Sequence, residues 1–348
     1  MTTSLLDFSF EELKNLICEM GEKSFRAGQI FRSLHSGLEI DEMTDISKDF
    51  RARLSQEYSG QAVKILKSIK SVDGTEKFLF SLCDGNLIEG VLMRYKYGCT
   101  LCVSTQVGCR MNCAFCASGL EGLVRNLQPG EILGEIIAVN KYLDGGLSDK
   151  RKVTNVVMMG SGEPLDNYDN VIKFLRLVSD KNGINISPRN ISLSTAGLVP
   201  QMYKLADENL PINLTVSLHS PIDEERQKIM PIAKAYSIKE ILDACQNYFE
   251  KTGRRYIFEY VLIKGNNDSE VHANTIIKLM KGRPCHVNII RLNEVKEKQL
   301  RSTTDKEAYR FSSVLEKAGI SATVRRRMGD DIEGACGQLR RRYLNDNK

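Results

Sequence analysis

Three of the ten cysteines in this chain fall within eight residues, in the run Gly108-Cys-Arg-Met-Asn-Cys-Ala-Phe-Cys-Ala117. Cys109, Cys113 and Cys116 thus form a C-x3-C-x2-C pattern. Three thiolates in one loop can each ligate one iron of a four-iron, four-sulfur cubane, leaving the fourth iron without a protein ligand. A closed structural site uses four protein ligands, whereas an open coordination position lets a cofactor bind the metal directly. The spacing differs from the C-x2-C pairs of zinc ribbons and from the ferredoxin run. It therefore predicts a [4Fe-4S] cluster whose open iron takes S-adenosylmethionine (SAM). A zinc site and a three-cysteine ferredoxin-like cluster are the remaining readings of the same thiolates.

SAM needs further contacts, expected at the C-terminal ends of successive parallel strands. Val156-Val-Met-Met-Gly-Ser-Gly-Glu163-Pro164 offers two glycines for close backbone approach and the Glu163 carboxylate for an ammonium group. Read alone, it is also an ordinary Gly-rich turn, and Met158 and Met159 read as core. Ser192-Leu-Ser194-Thr-Ala-Gly197, Thr215-Val-Ser217-Leu218-His219-Ser220 and Asn293 supply hydroxyls, an imidazole and an amide where later strands end. Each of these is equally a turn or cap former. His219 has no partner histidine pattern and reads as a hydrogen-bonding residue rather than a metal ligand. Cys336, in Gly334-Ala-Cys-Gly-Gln338, lies between Arg325-Arg326-Arg327 and Arg340-Arg341-Arg342, charges that favour a thiolate. The bland alternative is a solvated basic tail. Cys102 precedes the cysteine loop on a strand leading into it. Cys18, Cys83, Cys245 and Cys285 sit in apolar contexts and read as buried small hydrophobes.

The elements that must position these groups follow from periodicity. Residues 8–57 show helical spacing (Phe10, Leu13, Ile17; Phe25, Ile30, Phe31, Leu34), which predicts a small helical domain. Short apolar runs from 62 to 105, with Asp84-Gly85-Asn86 as a hairpin turn, predict strands. Beyond 130, strands at 153–159, 190–194, 212–218, 256–263 and 285–291 alternate with helices at 130–143, 167–179, 237–251, 269–280 and 304–318. With the strand at 100–105 that makes six β/α units, too few for an eight-fold barrel. The fold class expected is α/β, a partial (β/α)6 barrel with an open side, a small N-terminal helical domain and a short β extension. Expected boundaries are 1–60, 61–98, 99–325 and 326–348. Lys and Arg total 49 against 44 Asp and Glu, a net +5 too small to name a partner by itself. No apolar run approaches a spanning length and the first residues lack a basic export signal, so a cytoplasmic protein is expected. In such a compartment ten cysteines argue for metal or redox chemistry over a disulfide scaffold.

Taken together, these segments resemble the RlmN family, radical SAM methyltransferases that modify adenine C2 in 23S ribosomal RNA and in tRNA. The resemblance covers essentially the whole chain. It rests on Phe25-Arg-Ala-Gly-Gln-Ile-Phe31, the 108–119 loop, Gly162-Glu163-Pro164, Leu193-Ser-Thr-Ala-Gly197, Ser217-Leu-His219, Glu259-Tyr-Val-Leu-Ile263 and Gly329-Asp-Asp-Ile-Glu-Gly-Ala-Cys-Gly-Gln338. It implies that Cys336 takes a methyl group from one SAM. A second SAM would be cleaved to a 5′-deoxyadenosyl radical, which abstracts hydrogen from that S-methyl group so that the carbon adds to the base. Cys102 would then resolve the protein–RNA adduct by a disulfide with Cys336, and Glu89 would remove the C2 proton. SAM contacts would fall on Glu163, Pro164, Ser194, Ser217, Leu218, His219 and Asn293, and cluster ligation on Cys109, Cys113 and Cys116. Implied partners are 23S ribosomal RNA, tRNA and an electron donor such as flavodoxin or ferredoxin, with the chain a monomer. The helical domain and basic tail would be RNA-binding surfaces that read shape and a splayed-out base. Ser161 departs from the family, which usually has methionine there. Cfr-type enzymes, which methylate adenine C8, are the nearest alternative, and Met111 and Pro164 look like the C2 enzyme. A non-catalytic iron–sulfur RNA-binding protein is the alternative of a different class.

Overall fold

The structure, a computed structural model, describes residues 3–295, 297–332 and 343. Near the N-terminus, helical periodicity sets three helices, the first and third of them capped by serine hydroxyls. At α1 (Phe10–Glu19) the Ser9 hydroxyl accepts from the Glu12 amide while the Glu12 carboxylate accepts from the Ser9 amide. Its Leu13 and Ile17 are buried, against Ala27, Ile30, Phe31 and Leu34 of α2 (Phe25–His35) and Phe50 and Leu54 of α3 (Lys48–Glu57). Two-residue strands β1 (Thr3–Ser4) and β2 (Tyr58–Ser59) pair in parallel and bring the ends of this segment together.

An antiparallel meander follows: β3 (Val63–Lys70), β4 (Glu76–Leu82), β5 (Leu87–Tyr95) and β6 (Gly98–Cys102). The short strands β7 (Gln106–Gly108) and β8 (Leu123–Asn126) bracket the cysteine loop. Then come α4 (Pro129–Tyr142), β9 (Val153–Met158), α5 (Tyr168–Val178), β10 (Ile191–Thr195), α6 (Val199–Asp207), β11 (Asn213–Ser217), α7 (Asp223–Ile229) and α8 (Ile238–Thr252). The remainder is β12 (Tyr256–Leu262), α9 (Glu270–Met280), β13 (Cys285–Arg291), α10 (Asp305–Lys317) and β14 (Ala322–Val324).

One ten-stranded sheet runs β14-β13-β12-β11-β10-β9-β6-β5-β4-β3. From β6 through β14 every pairing is parallel. The two edges, β14 and β3, do not pair among the described residues, so the parallel strands form a partial barrel. Three features differ from the sequence expectation. The β extension is continuous with the barrel sheet through the β5–β6 ladder. A seventh parallel strand, β14, is added; its three residues are too few to show a period. Helices α6 and α7 were not expected, since Pro200 sits in the first turn of α6 and α7 is a short, charged segment. Of the four cysteines read as buried hydrophobes, Cys245 and Cys285 are buried, but Cys18 and Cys83 are exposed. Cys18 follows the buried Ile17 on the outer face of α1, and Cys83 stands at the mouth of the β4–β5 turn.

Candidate active site at the mouth of the partial barrel

The cysteine loop is closed by its flanking strands. The Cys109 amide donates to the Gly122 carbonyl at 2.9 Å, and Gly108 has φ +78°. A Cβ at Gly108 would lie 2.0 Å from the Gly122 oxygen, so only glycine permits this closure. The Ala114 amide donates to the Ile229 carbonyl at 2.8 Å, which ties the loop to the end of α7. Phe115 meets His219 edge-on with ring centroids 4.6 Å apart. Burial pushes the Cys109 thiol up to about 12, with the Cys116 charge adding to it, and pushes Cys113 higher for the same reasons. The three sulfurs are therefore close enough to raise one another, and as bare thiolates they would repel. A polycationic cluster that replaces their protons removes both penalties, so the loop fits a [4Fe-4S] group. Among the described residues no three ligating side chains converge on one point as the ligands of a single ion do. A cubane does not require that, because it spreads its thiolates over three irons.

Around the loop lie the strand ends. Glu163 is buried, and its Oε1 and Oε2 accept from the Leu165 amide at 3.0 Å and the Ala196 amide at 2.6 Å. Burial raises its carboxyl to about 7 against these hydrogen bonds. Glu163 thus stitches the turn after β9 to the end of β10, and Gly160 rather than its carboxylate lines the open cavity. His219 sits at φ +55°, its Nδ1 accepting from the Val261 amide at 3.0 Å. That bond puts the ring proton on Nε2, and burial pushes the imidazole down to about 3, so His219 is neutral, as a hydrogen-bonding rather than a charged group. Ser194 is in register with Thr215 on β11, and Ser217 with Glu259 on β12.

Two residues in this layer were given no role by the sequence reading. Arg226 is fully buried, donating to the carbonyls of Leu218, Ala196 and Ser217 at 3.1, 2.7 and 3.0 Å, with Nη1 left without a hydrogen-bond partner. It joins the ends of β10 and β11 next to Cys113, whose charge it stabilises. Glu259 is buried on β12, its Oε1 accepting from Asn288 at 3.0 Å and lying 3.6 Å from the Arg325 guanidinium, its Oε2 unpartnered. Orphaned buried donors and acceptors of this kind are what a polar ligand would satisfy. Arg226 stands in no quoted motif; Glu259 opens the Glu259-Tyr-Val-Leu-Ile263 segment, and a charged residue in an otherwise apolar strand was a usable signal that it had a role.

Beside this layer opens a cavity of about 800 Å³, lined by Cys102, Cys116, Met159, Asn293, Arg325 and Arg327 among others, and large enough for a cofactor. Met159, expected in the core with Met158, instead forms its wall. Cys102 pairs across the sheet with Val91, so Glu89, two residues along the same face of β5, is its diagonal neighbour. Lys77 reaches Glu89 Oε2 at 3.1 Å from the next strand. No cysteine of the described residues, Cys102 included, is in a disulfide. Cys336 and Arg340 to Arg342 lie outside the described residues. Of the first basic triplet only Arg326 is exposed. Arg325 turns inward to Glu259, and Arg327 donates to the Leu292 carbonyl and Ser302 hydroxyl at 3.2 Å each, so this part of the expected basic tail is a strap across the barrel mouth.

The family models agree with this geometry. The Radical SAM superfamily model matches residues 103–274, and the model described as Ribosomal RNA large subunit methyltransferase N-terminal domain matches residues 3–59. A protein of Alkaliphilus oremlandii named "Probable dual-specificity RNA methyltransferase RlmN" is 50% identical, covering 98% of each chain. Proteins of the same name from Clostridium perfringens and Clostridioides difficile are each 51% identical, over 98% and 97% of this chain and 97% and 98% of theirs. The crystal structure of a radical SAM methyltransferase from Sphaerobacter thermophilus superposes with a TM-score of 0.92 at 39% identity, covering 97% of this chain and 98% of that one. Radical SAM enzymes use a [4Fe-4S] cluster and SAM, the pair for which this loop and cavity are built. With three thiols in the loop after β7, a partial barrel around them and half of its residues shared with these relatives over nearly its full length, the chain belongs to the RlmN family of radical SAM enzymes.

Proposed function

We infer that this protein is a SAM-dependent RNA methyltransferase that methylates adenine C2 in 23S ribosomal RNA and in tRNA. The observation that carries the reading is the shared face of β5 and β6, on which Glu89 and Cys102 are diagonal neighbours beside a cavity that Cys116 also lines. When bound, the cluster and SAM supply one-electron cleavage chemistry at the loop of Cys109, Cys113 and Cys116. Contacts to SAM are assigned to Glu163, Pro164, Ser194, Ser217, Leu218, His219 and Asn293. In this reading Glu163 acts by holding its turn, and His219 by presenting Nε2–H. Cys336 takes the methyl group from SAM as a thioether, with S-adenosylhomocysteine leaving. Once that carbon is joined to the base, Glu89 removes the C2 proton. The Cys102 thiolate then attacks the Cys336 sulfur, forming the disulfide as the carbon–sulfur bond breaks; the electron pair of that bond leaves with the carbon, which takes up a proton to become the methyl group of the released product. The assigned units are 1–60 for RNA contact, 61–98 for Glu89, 99–325 for SAM chemistry and 326–348 for the methyl carrier. No helix among the described residues is long and apolar enough to cross a membrane. In this reading the chain is a cytoplasmic monomer served by a flavodoxin- or ferredoxin-type donor.

Cys102→Ala tests the assignment. This variant is expected to accept the methyl group and attack RNA but not release it, so a nuclease-sensitive upward shift accumulates on denaturing gels. Normal turnover by Cys102→Ala would make Cys102 a packing residue and overturn the mechanism.

A further inference from the structure

At the rim of the 800 Å³ cavity the β5–β6 hairpin turns through only Lys96 and Tyr97. Tyr95, the last residue of β5, lines the cavity, and Tyr97 stacks on it with ring centroids 4.9 Å apart and planes 5° from parallel. Tyr97 is 70% exposed, so an aromatic face at the cavity mouth is left open to solvent. Its surroundings are basic: Lys96 is exposed on the same turn, Arg326 is exposed on the strap, and Arg325 is close enough to act on the Tyr97 hydroxyl.

The geometry points to a role for this hairpin that the cluster and thiol chemistry does not explain. We propose that Tyr97, stacked on Tyr95, is a platform for an unpaired RNA base next to the one that enters the cavity, with Lys96 and Arg326 meeting the flanking phosphates. An exposed ring is a liability unless something covers it, and a two-residue turn presents it with little conformational freedom to lose on binding. Cations around an aromatic face suit a polyanion that also carries flat π-surfaces, and single-stranded RNA is that chemistry. Extending a pair of parallel rings by a third ring requires no rearrangement of the protein. The inference rests on the reading of this chain as an RNA methyltransferase and adds where its substrate is gripped.

The test uses the anaerobically reconstituted full-length enzyme and an RNA hairpin with an unpaired adenosine in its loop. Tyr97→Ala is expected to raise the Kd and KM for this RNA by about 5- to 150-fold, the loss typical of one stacked base. Iron content and RNA-independent SAM cleavage should stay at wild-type levels. Tyr97→Phe and Tyr97→Trp should bind as the wild type does, while Tyr97→Leu, which keeps bulk but not the planar face, should behave as Tyr97→Ala. Lys96→Ala should lower the slope of log affinity against log salt by about one, and Tyr97→Ala should leave that slope unchanged. RNA affinity within twofold of wild type in Tyr97→Ala, or equal losses in Tyr97→Phe and Tyr97→Ala, overturns the platform while leaving the methyltransferase reading intact. Wild-type enzyme that neither binds nor methylates RNA sinks both. A wild-type dimer that Tyr97→Ala converts to monomer, with RNA affinity unmoved, assigns the ring to self-association and refutes the proposal.

Discussion

Lys77 and Glu89 form an ion pair at 3.1 Å with side chains 1% and 5% exposed, across the β4–β5 ladder. Two charges taken out of water are held there by geometry, and removing one leaves the other buried without this partner. Lys77→Met is therefore expected to destabilise the fold by about 3–5 kcal/mol, read as a lower urea midpoint, with Lys77→Met/Glu89→Leu recovering much of the loss. A midpoint unchanged in Lys77→Met would show that the pair does not hold the carboxylate in place. Among the cysteines, Cys113→Ala should cost the protein its cluster, measured as iron content and visible absorbance after anaerobic reconstitution. An iron-replete, SAM-cleaving Cys113→Ala protein is the result that ends the ligand assignment.

Hairpins decide what the reactive segments can reach. The tip of the β3–β4 hairpin grips the chain after the strap: the Gly329 amide donates to Asp73 Oδ2 at 3.0 Å, the Val72 amide to Asp331 Oδ2 at 3.1 Å, and the Ser71 hydroxyl to Asp331. Ile332, the last residue of this anchored stretch, precedes Cys336 by four positions, so the thiol is tethered within about 14 Å of chain from it. Asp73→Ala removes the acceptor for both the Gly329 and Thr75 amides. It should cut methylation of Cys336, followed by mass spectrometry of the intact protein, by about tenfold, on the order of the 1.4 kcal/mol that one or two such bonds carry. Cluster content should not change, and a fully methylated Asp73→Ala protein would argue against the anchor. At the other hairpin, Gly108→Ala must push the Gly122 carbonyl away from its 2.0 Å approach and hold φ +78° with a side chain. Iron content should fall sharply while far-UV circular dichroism stays that of the wild type, because the strain is confined to the loop.

The N-terminal helices are coupled to the barrel by contacts that a pH change can read. The Asp7 carboxylate accepts from the Gly130 amide at 2.8 Å, Lys173 pairs with Glu12 at 2.9 Å, and the Ile184 amide donates to His35 Nδ1 at 3.2 Å. A Cβ at Gly183 would lie 2.3 Å from that nitrogen, so the barrel closes directly on the imidazole. Burial pushes His35 down to about 3, against about 6.5 in an unfolded chain. Between those values the unfolded chain binds a proton that the folded one does not. Stability from this group is thus complete above about 6.5 and is lost as pH falls toward 3. The slope contributed is at most about 1.4 kcal/mol per pH unit. Urea midpoints at pH 7 and pH 5 should differ less in His35→Asn, whose Oδ1 can accept the Ile184 amide without titrating, than in the wild type. Equal differences in the two proteins would mean that His35 does not report on this interface.

The cysteine spacing, the alternation of strands with helices beyond 130 and the apolar spacing of the N-terminal helices were legible in the chain because each is a local pattern, set by neighbours a few residues apart. Strand positions such as 153–159 and 285–291 match Val153–Met158 and Cys285–Arg291 for that reason. Family resemblance carried the roles proposed for Cys102, Glu89 and Cys336, which no spacing disclosed. What only the tertiary structure decided is non-local. The pairing of Val91 with Cys102 sets Glu89 on the same face as the thiol, and the diagonal register of β4 on β5 brings Lys77 to it. Arg226 reaches the ends of two strands that precede it, and the strap of Arg325 and Arg327 covers a mouth that the chain had left far behind. Register and side-chain reach between distant segments depend on how the sheet pairs and twists, and a single sequence does not write that down locally.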